Sequence, residues 1–188
     1  NVFNPITTGV PFLSIAPDAR GGAMGDVGAA TSPDAYSQYW NPSKFAFIDG
    51  AGGVSLSYTP WLRKLVKDID LAYLSGYYKI ADIQTVSASL RYFSLGEVMI
   101  RKDATSPAIT AKPYDLAVDA SYARILAENF SMGVTLRFIY SDLLGGAPVE
   151  EAESLTPGAA VAADISAFYS SPVVFPEGEG FARGGLNI

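Results

Sequence analysis

"FSMGVTLRFIY", residues 130–140, alternates without interruption: Phe130, Met132, Val134, Leu136, Phe138 and Tyr140 fall on one face, Ser131, Gly133, Thr135 and Arg137 on the other. A period of two argues for a β-strand, and this run is long against the about 5–6 residues of an ordinary globular strand. The same alternation recurs. "VSASLRYFS" sets Val86, Ala88, Leu90 and Tyr92 against Ser87, Ser89 and Arg91. "DLAVDASYA" sets Leu116, Val118, Ala120 and Tyr122 against Asp115, Asp119 and Ser121. "VAADISAFY" sets Val161, Ala163, Ile165, Ala167 and Tyr169 against Asp164 and Ser166. Nearer the start, Val54, Leu56 and Tyr58 alternate with serines, and Ile69, Leu71 and Tyr73 with Asp70. Six strands are thus predicted beyond residue 50, with no long helix.

The apolar faces carry no charge until strand ends such as Arg124, whereas Asp70, Arg91, Asp115, Asp119, Arg137 and Asp164 are expected in mid-strand on the opposite face. Hydrocarbon would enforce that division, since an arginine or lysine at the bilayer midplane of a barrel costs about 2–4 kcal/mol. Tyr58, Tyr92, Tyr122, Tyr140 and Tyr169 recur near strand ends, where an interfacial girdle lies. Connections near 80–82 and 126–129 are short; those at 101–113 and 143–157 are long and polar. Short turns at one end and long loops at the other describe a transmembrane antiparallel up-and-down β-barrel. A soluble sandwich with charge-free inner faces is the alternative.

Composition agrees with lipid as a solvent. Charged residues make up 17% of the 188 residues, against about a quarter in soluble domains, and the mean hydropathy is positive. A net charge of −6 without a basic patch argues against nucleic acid as a partner. With no cysteine and no histidine, disulfides, Cys/His zinc sites and imidazole-dependent triads are excluded. No apolar run reaches the roughly 18–20 residues of a spanning helix. Six strands are too few to close a barrel around a plug, since such barrels begin at about eight. "FARGGLNI" at 181–188 reads as a seventh strand cut short, so the chain is expected to be the N-terminal portion of a longer barrel.

Residues 1–50 behave differently. Glycines and prolines such as Gly21, Gly22, Gly25, Gly28, Pro33 and Pro42 break any long element, leaving at most a helical turn near 43–47. Yet "DAYSQYWNPSKFAFIDG", residues 34–50, gathers Tyr36, Tyr39, Trp40, Phe45 and Phe47.

The run "APDARGGAMGDVGAATSPDAYSQYWNPSKFAF", residues 16–47, resembles the N-terminal hatch of FadL-like outer-membrane proteins. There a Gly-rich tract with A-R-x-x-x-M-G precedes D-A-x-x-x-x-x-N-P-A and the first strand. More narrowly, A-P-D-A-R-G, M-G-D-V-G-A-A-T and Q-Y-W-N-P-S-K resemble the PorV family, shuttle barrels of the type IX secretion system. Asn41-Pro42-Ser43 stands where the wider family has Asn-Pro-Ala. The resemblance is strong over 10–60 and rests on pattern alone in the later strands.

It implies an all-β, FadL-like barrel of about 14 strands when complete, of which this chain covers roughly the first six to seven. Residues 1–50 would be a strandless hatch inside it and 51–188 the N-terminal part of its wall. Tyr36, Tyr39, Trp40, Asn41, Pro42, Phe45 and Phe47 would anchor the hatch, with Asn41 held extended before Pro42. An arm packed outside the sheet is the alternative.

The resemblance also implies an outer-membrane location and partners. These are an SprA-type translocon, the C-terminal signal domains of secreted cargo, a PorU-type sortase or attachment complex, and outer-membrane lipid or lipopolysaccharide. No cofactor and no metal are expected. Trp61, Leu62, Leu65 and Val66, in "TPWLRKLVKD", are the candidate partner-binding loop, because exposed apolar side chains there suit a protein contact. A loop folded over the barrel mouth explains them as well. A second function class is a FadL-type channel for hydrophobic small molecules, which the Asp, Ser and Arg of the polar face disfavour. An enzymatic role finds no histidine and no G-x-S-x-G elbow, and the glycines of "RGGAMGDVG" lack the G-K-[ST] of a phosphate loop. No catalytic residue is assigned. Glu150, Glu151 and Glu153 read as a solvated acidic loop.

Overall fold

A computed structural model of the chain describes residues 10–60, 68–100, 109–143, 145, 157–175 and 178–188. The period-two segments pair in the order in which they occur. β1 (Gly52–Pro60), β2 (Ile69–Ala81), β3 (Gln84–Leu95), β6 (Tyr114–Ala127), β7 (Phe130–Asp142), β8 (Gly158–Phe175) and β9 (Gly178–Asn187) form one seven-stranded antiparallel sheet in that order. The sheet curls into half a barrel. A separate hairpin, β4 (Val98–Ile100) with β5 (Ile109–Ala111), lies within the long β3–β6 connection and was not expected. The strands of the main sheet run from 9 to 18 residues. The β2–β3 and β6–β7 turns are two residues long, each beside a register shift in the preceding strand. Bulges of this kind are common at barrel rims. The β1–β2, β3–β6 and β7–β8 connections all leave the opposite end.

Burial is inverted relative to a water-soluble sheet. On β3, Thr85, Ser87, Ser89 and Arg91 are buried while Val86, Leu90 and Tyr92 are exposed. Val54 is 77% exposed, Val161 75%, Leu56 70% and Leu136 65%. A contiguous apolar face of this extent on a monomer needs a non-aqueous neighbour.

Register shows how that face is bounded. Leu56, Leu74, Leu90, Val118, Phe138 and Val161 stand side by side across six strands, and the next row is Val54, Gly76, Ala88, Ala120, Leu136 and Ala163. Tyr92, Leu116 and Tyr140 flank these rows on the long-loop side, and Tyr78, Val86 and Tyr122 on the short-turn side. Charge returns one row further out, at Asp70 and Asp142 above and Arg124 below. From Tyr114, in the upper charged row, to Arg124 is about 33 Å along the strand at about 3.3 Å per residue. At the tilt of about 40° usual in such barrels this is about 25 Å, the height of an outer-membrane apolar band. Tyr92, Tyr114 and Tyr140 form a continuous aromatic row, with centroid separations of 5.7 and 6.1 Å.

One strand departs from the sequence reading. In β2 the face opposite the hydrocarbon carries Leu71 and Tyr73, each 1% exposed, and Asp70 lies on the outward side. Ala72, Leu74, Gly76 and Tyr78 supply the outward face. Both faces of this strand are apolar, so alternation alone leaves its register open by one residue, which exchanges the faces. The pairing of Ser55 with Ser75 and Leu56 with Leu74 fixes it. Asp70 is compatible with an outward position because it sits above the apolar band, where Tyr58 Oη donates to its carboxylate at 2.6 Å.

Residues 10–50 lie against the polar, inner face. They hold more local order than the single helical turn expected: a 3-10 turn at Pro11–Ser14, α1 (Ala19–Ala23), α2 (Ser37–Trp40) and a second 3-10 turn at Pro42–Phe47. Asp18 caps α1, accepting from Gly21 N–H at 2.7 Å. Asn41 is extended (φ −168°, ψ 96°) before Pro42, and its side chain caps the second turn through Ser43 N–H.

Candidate functional site

The inner face is a lattice of small hydroxyl residues, and buried hydroxyls need partners. Gln38, on α2, supplies two. Its Nε2 donates to Ser121 Oγ at 2.7 Å, and Ser87 Oγ donates to its Oε1 at 2.6 Å. Ser121 Oγ in turn lies 2.7 Å from Thr135 Oγ1. The chain backbone supplies more: Ser75 Oγ donates to Ala35 O at 2.7 Å, Thr85 Oγ1 to Phe45 O at 3.2 Å, and Ser131 Oγ to Ser43 O at 2.8 Å. Gln38, Ser43 and Phe45 are 1% exposed or less.

Asn41 ties the N-terminal segment to itself and to the wall. Its Nδ2 donates to Ala29 O at 3.0 Å and to Ala167 O at 2.8 Å, while its Oδ1 accepts from both the backbone and the hydroxyl of Ser43. Lys44, wholly buried, donates to Gly28 O at 2.8 Å and Thr31 Oγ1 at 3.0 Å. Burial pulls its ammonium down to about 8, against a smaller opposing effect of Asp34.

The aromatic residues divide into two groups. Phe45 stacks on Tyr77 at 4.9 Å, Tyr36 on Tyr73 at 6.3 Å, and Phe47 lies 6.0 Å from Phe168, so these three face the wall. Trp40 instead packs within the segment. Its Nε1 donates to Asp18 Oδ1 at 2.8 Å, Tyr39 meets its ring edge-on at 4.7 Å, and its indole fills the space beside Gly21 and Gly28. A Cβ at either glycine would overlap that ring. Pro42 is buried where the second 3-10 turn begins.

Arg91, Asp119, Arg137 and Asp164 of the inner face have partners. Arg137 Nε donates to Asp119 at 2.7 Å and its Nη2 lies 3.2 Å from Asp164. Ser89 Oγ donates to Asp119 at 3.0 Å. Arg91, 3% exposed, donates through Nη1 to Phe12 O and Leu13 O and lies over the rings of Tyr39 and Tyr73, at 4.6 and 5.2 Å. Burial raises the Tyr39 phenol, with Arg91 opposing.

The chain matches the family described as type IX secretion system protein PorV over residues 2–188. It belongs to the PorV family. No curated protein matches it. The chain is therefore a type IX secretion component, and a curled sheet whose outer face is apolar between charged rims fits such an outer-membrane family.

Gln38, Ser43 and Lys44 were missed by sequence reasoning, which weighted the aromatic residues around them. The signal was present in the wall: Thr85, Ser87 and Ser89 of β3, Ser121 of β6 and Ser131 and Thr135 of β7 demand hydrogen-bonding partners from whatever covers them. Trp61, Leu62, Leu65 and Val66 lie outside the described residues.

Proposed function

We propose that this chain is the N-terminal part of an outer-membrane barrel that carries secreted proteins. It would take cargo by the C-terminal signal domain at an SprA-type translocon and deliver it to a PorU-type attachment complex at the cell surface. Residues 1–50 serve as its plug, with Tyr36, Phe45 and Phe47 against the wall, Asn41 and Pro42 shaping the last turn, and Tyr39 and Trp40 holding the plug together. The observation that carries this reading is that the N-terminal segment hydrogen-bonds Ser75, Thr85, Ser87, Ser121 and Ser131 of the inner face, through residues as buried as Gln38, Ser43 and Phe45. Where those hydroxyls are bonded to the segment, the wall presents fatty molecules with polar groups in place of an apolar surface. Binding then falls to the long-loop end and the outer wall, where Trp61, Leu62, Leu65 and Val66 are the first candidates.

Co-purification from native membranes tests this. The tagged protein is expected to bring down cargo bearing the C-terminal domain together with the translocon, and deletion of 61–66 to weaken both without loss of the folded barrel. Unchanged capture after that deletion refutes the loop assignment. Recovery with a bound acyl chain and no protein partner refutes the carrier role.

A further inference from the structure

The N-terminal segment is fastened to the wall in two unequal parts. Between Ala35 and Phe47 it accepts hydrogen bonds from Ser75, Thr85, Ser87 and Ser131 and donates to Ser121 Oγ and the Ala167 carbonyl. Between Val10 and Ile15, among the described residues, the hydrogen bonds to the sheet all come from one side chain. Arg91 Nη1 donates to Phe12 O at 3.1 Å and Leu13 O at 3.0 Å. The other bonds of this stretch close its own 3-10 turn: Leu13 N–H to Val10 O, Ile15 N–H to Phe12 O, and Ser14 Oγ to Pro11 O. Packing adds Phe12, wedged against Ala117 and Ile139 and stacked on Phe93 at 6.4 Å.

This stretch also divides the inner space. Pro11 and Phe12 border a cavity of about 420 Å³ on the long-loop side, reaching Leu143 and Gly158. Leu13 borders a second cavity of about 400 Å³ beneath, beside Tyr39 and Arg137. Arg91 stands at the boundary, buried and without a carboxylate partner among the described ion pairs.

We propose that Val10–Ile15 is a displaceable strap latched by Arg91, whose release joins the two cavities into one vestibule open toward the long loops while residues 35–47 stay in place. The physical reason is the imbalance of fastening. A charged donor contributes more per hydrogen bond than a neutral one, but here a single residue supplies both bonds, so its loss frees the whole stretch. The inference goes beyond the carrier reading and does not depend on any cargo.

These 188 residues hold no cysteine, so single reporters can be placed among them once any cysteine elsewhere in the full-length barrel is replaced by serine. In the full-length barrel in membranes, a single Ala117→Cys reports on the strap, because Ala117 is 1% exposed beneath Phe12. Ala123→Cys, at a position also 1% exposed, reports on the wall beside the second 3-10 turn. Maleimide labelling of the Ala117→Cys reporter is expected to accelerate by roughly tenfold or more when Arg91 becomes Met, in line with the loss of two charge-assisted bonds. The Ala123→Cys reporter should hold its labelling rate. Phe12→Ala, which leaves Arg91 intact, should accelerate labelling at position 117 in the same selective way and stands in if Arg91→Met does not fold. No acceleration at position 117 in either variant, or equal acceleration at both reporters, overturns the strap. Failure of the carrier reading would appear elsewhere, as lost co-purification with both labelling rates unaltered.

Discussion

Arginine placed along β6 tests the solvent of the outer wall directly. Leu116, Val118, Ala120 and Tyr122 all point outward, and register sets them between the charged rows of Asp142 and Arg124. The midpoint between Tyr114 and Arg124 falls between Val118 and Ala120. If hydrocarbon covers this face, Val118→Arg and Ala120→Arg should each destabilise by about 2–4 kcal/mol. Leu116→Arg and Tyr122→Arg, beside the tyrosine rows, should lose about 0–1 kcal/mol of solvation, since a long guanidinium snorkels to the interface there. The curve of cost against position is the prediction, more than any single value. It is read from reversible guanidinium unfolding of the full-length protein in phospholipid vesicles, comparing midpoints at a common slope. A flat profile, or costs that rise toward the ends, would mean that something other than a bilayer covers the wall.

The N-terminal segment yields further expectations. Gln38→Ala deprives Ser87 of its acceptor and Ser121 of a donor, and should destabilise the protein by about 2–4 kcal/mol, seen as earlier proteolysis of the N-terminal segment on heating. Gly28→Ala forces a methyl into the Trp40 ring and should cost about 1–3 kcal/mol, whereas Gly22→Ala meets nothing and should be neutral or stabilising by up to about 1 kcal/mol; thermal midpoints of the two variants separate these outcomes. Lys44 gives a pH signature. Its folded value of about 8 lies below the unfolded 10.5, so the unfolded chain binds more protons between the two. The penalty for burying its charge is therefore fully present below pH 8 and relieved as pH rises to 10.5. Relative to Lys44→Met, stability should climb across that window by at most about 3 kcal/mol, and a falling difference would contradict the assignment.

Most of the wall was legible because its two solvents differ so sharply. In β3, β6, β7 and β8 one face is apolar between the charged rims and the other carries most of the polar residues, and the contrast between the two faces shows the period. β2 escaped because Leu71 and Tyr73 line the inner face where Tyr36 packs, so neither of its faces is polar enough to declare itself. The β4–β5 hairpin, three residues to a strand, is too short for a period to establish itself. The keys of the plug were illegible for a different reason. Gln38 finds its partners 49 and 83 residues away, and no local pattern marks a side chain whose role is fixed by the curvature of a sheet.

That difficulty follows from the same inversion that made the wall readable. Lipid excludes polar residues from the outer face between its charged rims and leaves Ser75, Ser87, Ser89, Ser121 and Thr135 to the inside. Small hydroxyls in an enclosed space leave costly unpaired donors unless something equally polar meets them. An aromatic plug would bury area and leave those groups unsatisfied. The segment from Ala35 to Phe47 meets many of them by presenting the carbonyls of Ala35, Ser43 and Phe45 and the carboxamides of Gln38 and Asn41 to the wall, and by turning Trp40 inward against its own glycines. The aromatic residues read from sequence as anchors thus divide their labour, Phe45 filling space at the wall and Trp40 giving the plug a core. The glycines Gly21 and Gly28 are required by that core, since only a residue without a Cβ leaves room for an indole on both sides.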